Sequence, residues 1–338
     1  MTIALDATYS LGKNLSGVGV YSREILFGLA AAHRTEKFHF CYRPHRFLKS
    51  FHDKLPPNAS RRLLRGAPSA GIFHALNQRV DAKARRTVST FHDLFVMTGD
   101  YSTPEFQARF TAQARGAAER SDLIIAVSNF TASQIEQLLQ VEPSRIRVIH
   151  HGVRIPNRAV TARSGNPKLV LSVGAIQRRK NIARLVKAFE LLPAEWRLAL
   201  AGAPDGFGAA EELRAVEESP ARARIDVLGY VSSGQLDDLY RRASIFAFPS
   251  LDEGFGMPIL EAMAHGVPVL TSNCSAMPEV SGGAAFLVDP QNIGDALLNL
   301  ATDESLRETL IRRGRERIKP MTWDAALEKT WAVYDELR

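Results

Sequence analysis

The chain alternates short apolar strand patterns with helical ones, twice over, and that alternation restricts it to parallel α/β sheets. In the first half, Ile3–Ala7, Phe38–Tyr42, Thr87–Phe91, Leu123–Val127 and Arg147–His150 read as strands. Helical periodicity fills Tyr21–Ala31, Pro104–Glu119 and Ala132–Leu139. Strands that alternate with helices need crossover connections, and these are right-handed and build a parallel sheet. A polar stretch, Pro156–Pro167, then breaks the pattern with two prolines and a glycine, as a linker does. Beyond it the theme returns. Strands are expected at Leu169–Val173, Arg197–Ala201, Ile225–Leu228, Ile245–Phe248, Val267–Thr271 and Phe286–Val288. Helices are expected at Ile182–Leu192, Glu211–Glu218, Gln235–Arg242, Pro258–His265, Asp295–Ala301 and Ser305–Ile318. A last helix starts after Thr322, a good cap, with Asp324 in its first turn. At 338 residues this reads as two domains rather than one core.

Composition narrows the class. Apolar residues make up 45% and charged residues 23%, as in soluble globular proteins. No apolar run approaches the roughly 20 residues that span a bilayer. The opening Met-Thr-Ile-Ala-Leu-Asp lacks the basic region of a secretory signal. Cys41 and Cys274 are too far apart in sequence to suggest a metal or disulfide framework, so a reducing cytoplasm fits. The net charge of +7 is unevenly placed: residues 33–86 hold 13 Lys/Arg against three acids, +10 in that stretch alone. Phe38, Phe40, Tyr42, Phe47 and Phe51 are interleaved with those cations. Such a stretch is either a solvated basic face over a core or a surface for anionic partners, membrane headgroups or nucleic acid.

One run carries the chemistry. In Pro249-Ser-Leu-Asp-Glu-Gly-Phe-Gly-Met-Pro-Ile-Leu-Glu261, two carboxylates, Glu253 and Glu261, bracket seven residues with two glycines and a helix-starting proline. Glycines let a ligand approach the backbone, a helix start offers unpaired N–H groups to phosphate, and carboxylates accept hydrogen bonds from sugar hydroxyls. Arg178-Arg179-Lys180-Asn181 stands at another strand-to-helix junction, where adjacent cations neutralise a diphosphate or simply face water. Ser16-Gly-Val-Gly-Val-Tyr21 follows the first strand but has Ser22 where a dinucleotide fingerprint needs its third glycine. It is a phosphate- or sugar-contacting loop or a plain turn. His92 and Ser128 end two strands. His92 is a ligand contact or a histidine held by Asp93 or backbone; Ser128 lines a cleft or caps a helix. No nucleophile elbow, phosphate-loop lysine or metal motif is present.

Asp252-Glu-Gly-Phe-Gly-Met-Pro-Ile-Leu-Glu261 resembles the E-x7-E signature of the retaining glycosyltransferases of family 4. Val173–Asn181 resembles that family's diphosphate loop and Gly229-Tyr-Val231 its base-contacting turn. Ser272–Val280, Leu287–Pro290, Ser16–Gly19, Phe91–Leu94, Val127–Asn129 and His151–Val153 match its other landmarks, so the likeness spans essentially the whole chain. The resemblance implies the GT-B fold, two facing Rossmann-like parallel-sheet domains. Residues 1–155, joined by a crossing-back C-terminal helix at 322–338, would bind the acceptor, and 168–320 the nucleotide-sugar donor. It further implies that Glu261 holds the ribose and that Glu253, with the Gly254, Phe255 and Gly256 backbone, holds the donor sugar. Arg179 and Lys180, with Arg178 beside them, would neutralise the diphosphate. Tyr230 and Val231 would meet the base, Gly17 and Gly19 would admit the diphosphate, His92 would contact a sugar hydroxyl and Ser128 would line the cleft.

The expected reaction is metal-independent transfer of a hexose with retention, without any bound cofactor beyond the nucleotide-sugar co-substrate. The text is most similar to bacterial mannosyltransferases of O-antigen and exopolysaccharide assembly. That implies GDP-mannose as donor, a lipid-linked glycan as acceptor, and a cytoplasmic place, peripheral on the inner face of the cytoplasmic membrane. A non-catalytic nucleotide-sugar-binding partner of a glycan assembly complex, or a transferase using UDP-glucose or another donor on a soluble acceptor, are the rivals. Nucleic acid is not an expected partner, since no nucleic-acid module is present.

Overall fold

The computed structural model describes residues 1–12, 14–156 and 168–338; of the expected linker at 156–167, all but Pro156 lies outside the described residues. The chain divides into two units, Met1–Gly152 with Met321–Arg338, and Val153–Pro320. Among the described residues no helix is long and apolar enough to cross a membrane.

The first unit is built on β1 (Thr2–Asp6), β2 (Lys37–Tyr42), β3 (Ala59–Leu63), β4 (Ile72–Ala75), β5 (Thr87–Phe91), β6 (Leu123–Ala126) and β7 (Ile146–Val148). They form one parallel sheet in the order β3-β2-β1-β4-β5-β6-β7. Helices α1 (Gly17–Ala32), α2 (Pro44–Phe47), α3 (Phe95–Thr98), α4 (Pro104–Arg120) and α5 (Asn129–Leu139) connect and cover it. Because both faces are covered, β4, β5 and β6 are buried along their whole length. Two strands are additional to the sequence expectation. Ala59-Ser-Arg-Arg-Leu63 tolerates its arginines because β3 is an edge strand, and β4 is only four residues long with a buried His74.

The second unit repeats the design with β8 (Leu169–Val173), β9 (Arg197–Ala201), β10 (Ile225–Gly229), β11 (Ile245–Phe248), β12 (Val269–Ser272) and β13 (Phe286–Val288), parallel in the order β10-β9-β8-β11-β12-β13. Its helices are α6 (Ile182–Phe189), α7 (Ala209–Glu217), α8 (Ser233–Arg242), α9 (Met257–Ala264), α10 (Met277–Ser281), α11 (Gly294–Thr302) and α12 (Glu304–Ile318). In each sheet the order reverses once, between β1 and β4 and between β8 and β11. Open α/β sheets bind ligands outside the carboxyl ends of the strands at such a reversal.

The last helix, α13 (Trp323–Asp335), is capped by Thr322, whose Oγ1 accepts from the Ala325 amide at 3.1 Å. It returns to the first unit, where Trp323, Leu327 and Tyr334 share a core with Ile3, Ile25, Leu29 and Phe38. The approach is backbone-close: a Cβ on Gly152 would lie 2.2 Å from the Trp323 nitrogen. Gly152→Ala therefore has to push the start of α13 away, an overpacking cost of about 1–3 kcal/mol. A thermal melt of this variant is expected to start several degrees below that of the unaltered protein; an unchanged melt would contradict the packing.

Candidate functional site

In the second unit the site grows from two neighbouring strand ends. β8 and β11 pair through Val170 and Ile245, so the loops that follow them meet although they are some 70 residues apart in sequence. After β8 the chain makes a 3₁₀ turn at Arg178–Lys180 and enters α6 through Asn181, at φ +60°. After β11 it runs through Pro249–Gly256 into α9. Two hydrogen bonds stitch these loops, and a third ties them to the segment after β13. The Leu251 amide donates to the Arg179 carbonyl at 2.7 Å, and Asn181 Nδ2 donates to the carbonyls of Pro249 at 3.1 Å and Pro290 at 2.8 Å.

On that frame Arg179 Nη1 lies 2.7 Å from Glu253 Oε1 and donates to the Asp252 carbonyl at 2.9 Å. Lys180 Nζ reaches the same carboxylate oxygen and sits 4.5 Å from the centre of the Phe248 ring. The Glu253 amide donates to Ser275 Oγ at 3.1 Å. All three charged side chains are nearly buried. Burial alone pushes the Glu253 carboxyl up, but the charges of Arg179 and Lys180 and their hydrogen bonds outweigh it and hold it down at about 2. Arg178 goes elsewhere: its Nη2 is 3.3 Å from Glu211 Oε2 on α7 and its guanidinium lies over Phe207. Of the three adjacent cations, Arg179 and Lys180 are the pair that meets Glu253.

Glu261, one helix turn into α9, lives in a different environment. Tyr240 Oη donates to its Oε2 at 2.9 Å, and burial raises its pKa. His265, four residues on, faces acceptors with both ring nitrogens, the Glu261 carbonyl at 2.8 Å and Asp237 Oδ1 at 2.7 Å, and stacks on Tyr240. Gly254, Phe255 and Gly256 form a buried turn between the two glutamates, with Gly256 at φ +93° just before α9. Tyr230 is half exposed and Val231 half-buried, just beyond Gly229 at the end of β10.

In the first unit His92 follows β5. Its Nε2 is 3.0 Å from the Leu76 carbonyl, so the backbone and not Asp93 supplies this bond, and burial lowers its pKa to about 4. Gly17 and Gly19 lie in the first turn of α1, where Ser16 Oγ accepts from the Gly19 amide at 3.4 Å. A Cβ on Gly19 would lie 2.9 Å from the Tyr9 carbonyl, so packing by itself accounts for that glycine. Ser128 is fully buried and caps α5, its Oγ accepting from the Thr131 amide at 3.0 Å. The structure adds Tyr240, His265 and Ser275, and gives Asn181 its role in joining the loops. Asn181 closes the Arg-Arg-Lys run, and His265 is one helix turn from Glu261, so both were signalled by spacing. Tyr240 and Ser275 leave no such signal.

The profile of the glycosyl transferases group 1 matches residues 153–317, and that of glycosyltransferase family 4 matches residues 66–155. The O-antigen chain mannosyltransferase B of Escherichia coli is 32% identical over 281 residues, 78% of this chain and 74% of that protein. The serotype-specific mannosyltransferase WbdA of Escherichia coli is 29% identical over 266 residues, 70% of this chain but 32% of its own length. Among solved structures, a sucrose-phosphate synthase of Thermosynechococcus elongatus superposes with a TM-score of 0.78 at 22% identity, covering 100% of this chain and 99% of that one. WaaG, a glycosyltransferase of lipopolysaccharide biosynthesis, superposes with a TM-score of 0.69 at 16% identity, covering 98% and 99%. The chain belongs to the group 1, family 4 glycosyltransferases, and its fold is GT-B.

The Glu253 cluster has a pH signature. A carboxyl held below its ordinary value of 4.5 stabilises the fold fully above that value and loses the contribution as pH falls towards about 2. Denaturation of the unaltered protein between those pH values is expected to show this loss. Glu253→Gln should flatten it, and an unflattened profile would mean that the carboxylate is not paired as described.

Proposed function

We propose that the chain moves mannose from GDP-mannose, with retained anomeric configuration and without a metal, onto a lipid-linked glycan in cell-surface polysaccharide synthesis. The observation that carries the reading is the buried Arg179–Glu253–Lys180 cluster at the carboxyl ends of β8 and β11. Two cations fixed there suit a diphosphate whose charge grows as it leaves, and preorganised charge of this kind is the usual source of rate in such transfers. Arg178, from its place on Glu211, would add to the field. Glu261 would accept the ribose hydroxyls, and Tyr230 with Val231 would meet the base. Glu253 and the Gly254–Gly256 backbone would hold the sugar near its reacting carbon. In the first unit, His92 would take a sugar hydroxyl, and the α1 start at Gly17 and Gly19 would admit phosphate. Mannose is favoured by the similarity to a mannosyltransferase of O-antigen chains.

A transfer assay over GDP-, UDP- and ADP-sugars is expected to give turnover with GDP-mannose; turnover with none would refute the enzyme. Glu261→Ala should weaken nucleotide binding roughly tenfold, the loss of one charge-assisted hydrogen bond. Glu253→Ala should lower kcat on the order of 100-fold. Wild-type behaviour of both variants would overturn the assignment.

The membrane side of the reading rests on α2 and the 3₁₀ turn that follows it. Leu48 is 79% and Phe51 61% exposed there, among Arg46, Lys49 and Lys54, and Arg61 lies over the Phe51 ring. Exposed apolar residues ringed by cations suit the cytoplasmic face of a membrane rich in anionic lipid. Sedimentation with phosphatidylglycerol vesicles is expected to capture the protein and to fail with Leu48→Glu/Phe51→Glu. Equal capture of both would place the contact elsewhere.

A further inference from the structure

A chain of four buried side chains runs through the first unit and ends against His92. Tyr334 Oη on α13 lies 2.6 Å from His74 Nδ1, and His74 Nε2 lies 2.8 Å from Thr90 Oγ1. Thr90 Oγ1 in turn lies 2.8 Å from Tyr21 Oη on α1. The Tyr21 ring then meets the His92 ring edge to face, with centroids 4.8 Å apart and planes at 78°. His151 packs on both rings, 5.5 Å from His92 and 4.9 Å from Tyr21, and Trp323 lies 5.9 Å from His151 and 6.4 Å from Tyr21.

We propose that Tyr21 is a positioning residue for His92, aiming its Nδ1 at the sugar hydroxyl that the reading above already gives that histidine. The tautomer follows from the backbone. A carbonyl oxygen only accepts, so the ring proton sits on Nε2 and is committed to Leu76. A neutral imidazole with Nε2–H has a lone pair on Nδ1, and among the described residues no hydrogen bond to Nδ1 is made. A lone pair suits an O–H donor and repels a phosphate oxygen, so the group recognised is a hydroxyl and not the diphosphate. Burial keeps the ring uncharged at neutral pH, which removes the other way of binding an anion. Tyr21 is suited to fix the ring because it is restrained at both ends. Its hydroxyl is tied into the Thr90–His74–Tyr334 chain and its ring into the histidine stack. Loss of that tie removes one of three restraints on His92, beside the Leu76 bond and the His151 stack, and a tilt of His92 moves the Nδ1 lone pair. The hydroxyl as ligand rests on the sugar-transfer reading; the geometry does not.

The test therefore has two arms. Histidine-selective 15N NMR of the ligand-free protein at pH 7 is expected to show His92 as the neutral Nε2–H tautomer. An Nδ1–H tautomer or a charged ring would overturn the proposal. Tyr21→Phe should shift or broaden the His92 signals, and unmoved signals would also overturn it. In the transfer assay, Tyr21→Phe is expected to lower kcat about fivefold while the Kd for GDP stays unchanged. In a His92→Ala background the same change should cost nothing further. Additive losses would mean that Tyr21 does not act through His92. If the unaltered protein transfers no sugar, the hydroxyl falls with the transfer reading, while the NMR arm still decides the anchoring of His92.

Discussion

Glu253 bears two cations on one carboxylate at a place where two loops have to meet. Removing an ion from water costs several kcal/mol, and a buried pair recovers that only with close partners and further hydrogen bonds. Here the recovery depends on the sheet. β8 and β11 are neighbours, so their following loops lie side by side, and Asn181 and Leu251 lock one to the other. The pairing of the two strands and the stitched loops bring the charged side chains together. A cluster that costs this much to assemble is poor evidence of stability and better evidence of a task for the charges.

The two glutamates that bracket the glycine turn show how surroundings split chemically identical groups. Glu253 is held ionised by Arg179 and Lys180, whereas Glu261 shares its carboxylate with the Tyr240 phenol and is pushed the other way by burial. The first unit uses a third arrangement. Its buried histidines, His74 and His92, are pushed down to about 3 and about 4 and are kept as neutral donors and acceptors.

Much of this was legible in the chain. The strands Thr87–Phe91, Leu169–Val173, Arg197–Ala201 and Ile245–Phe248 were readable to the residue because buried parallel strands are short runs rich in apolar and β-branched residues. Ala59–Leu63 was not, since an edge strand need bury only part of its length and its arginines look like loop. His74 was equally silent: its meaning lies in Thr90, 16 residues on, and in Tyr334, 260 residues on. The motif placed Arg178, Arg179 and Lys180 together, but only the fold sends the first to Glu211 and the other two to Glu253. Ser128 carried two readings because a strand end and a helix start coincide there, and the same hydroxyl suits either.

The return of α13 to the first unit makes that unit discontinuous in the chain, with the whole of Val153–Pro320 inserted between its parts. Trp323, Leu327 and Tyr334 are core residues of a sheet whose strands leave the ribosome more than 170 residues earlier. During synthesis the second unit is therefore complete in sequence while the first still has an open apolar face along α1 and the Gly152 backbone. Domains generally fold as units, earlier ones first, but here the order is inverted: the domain begun first is the one finished last.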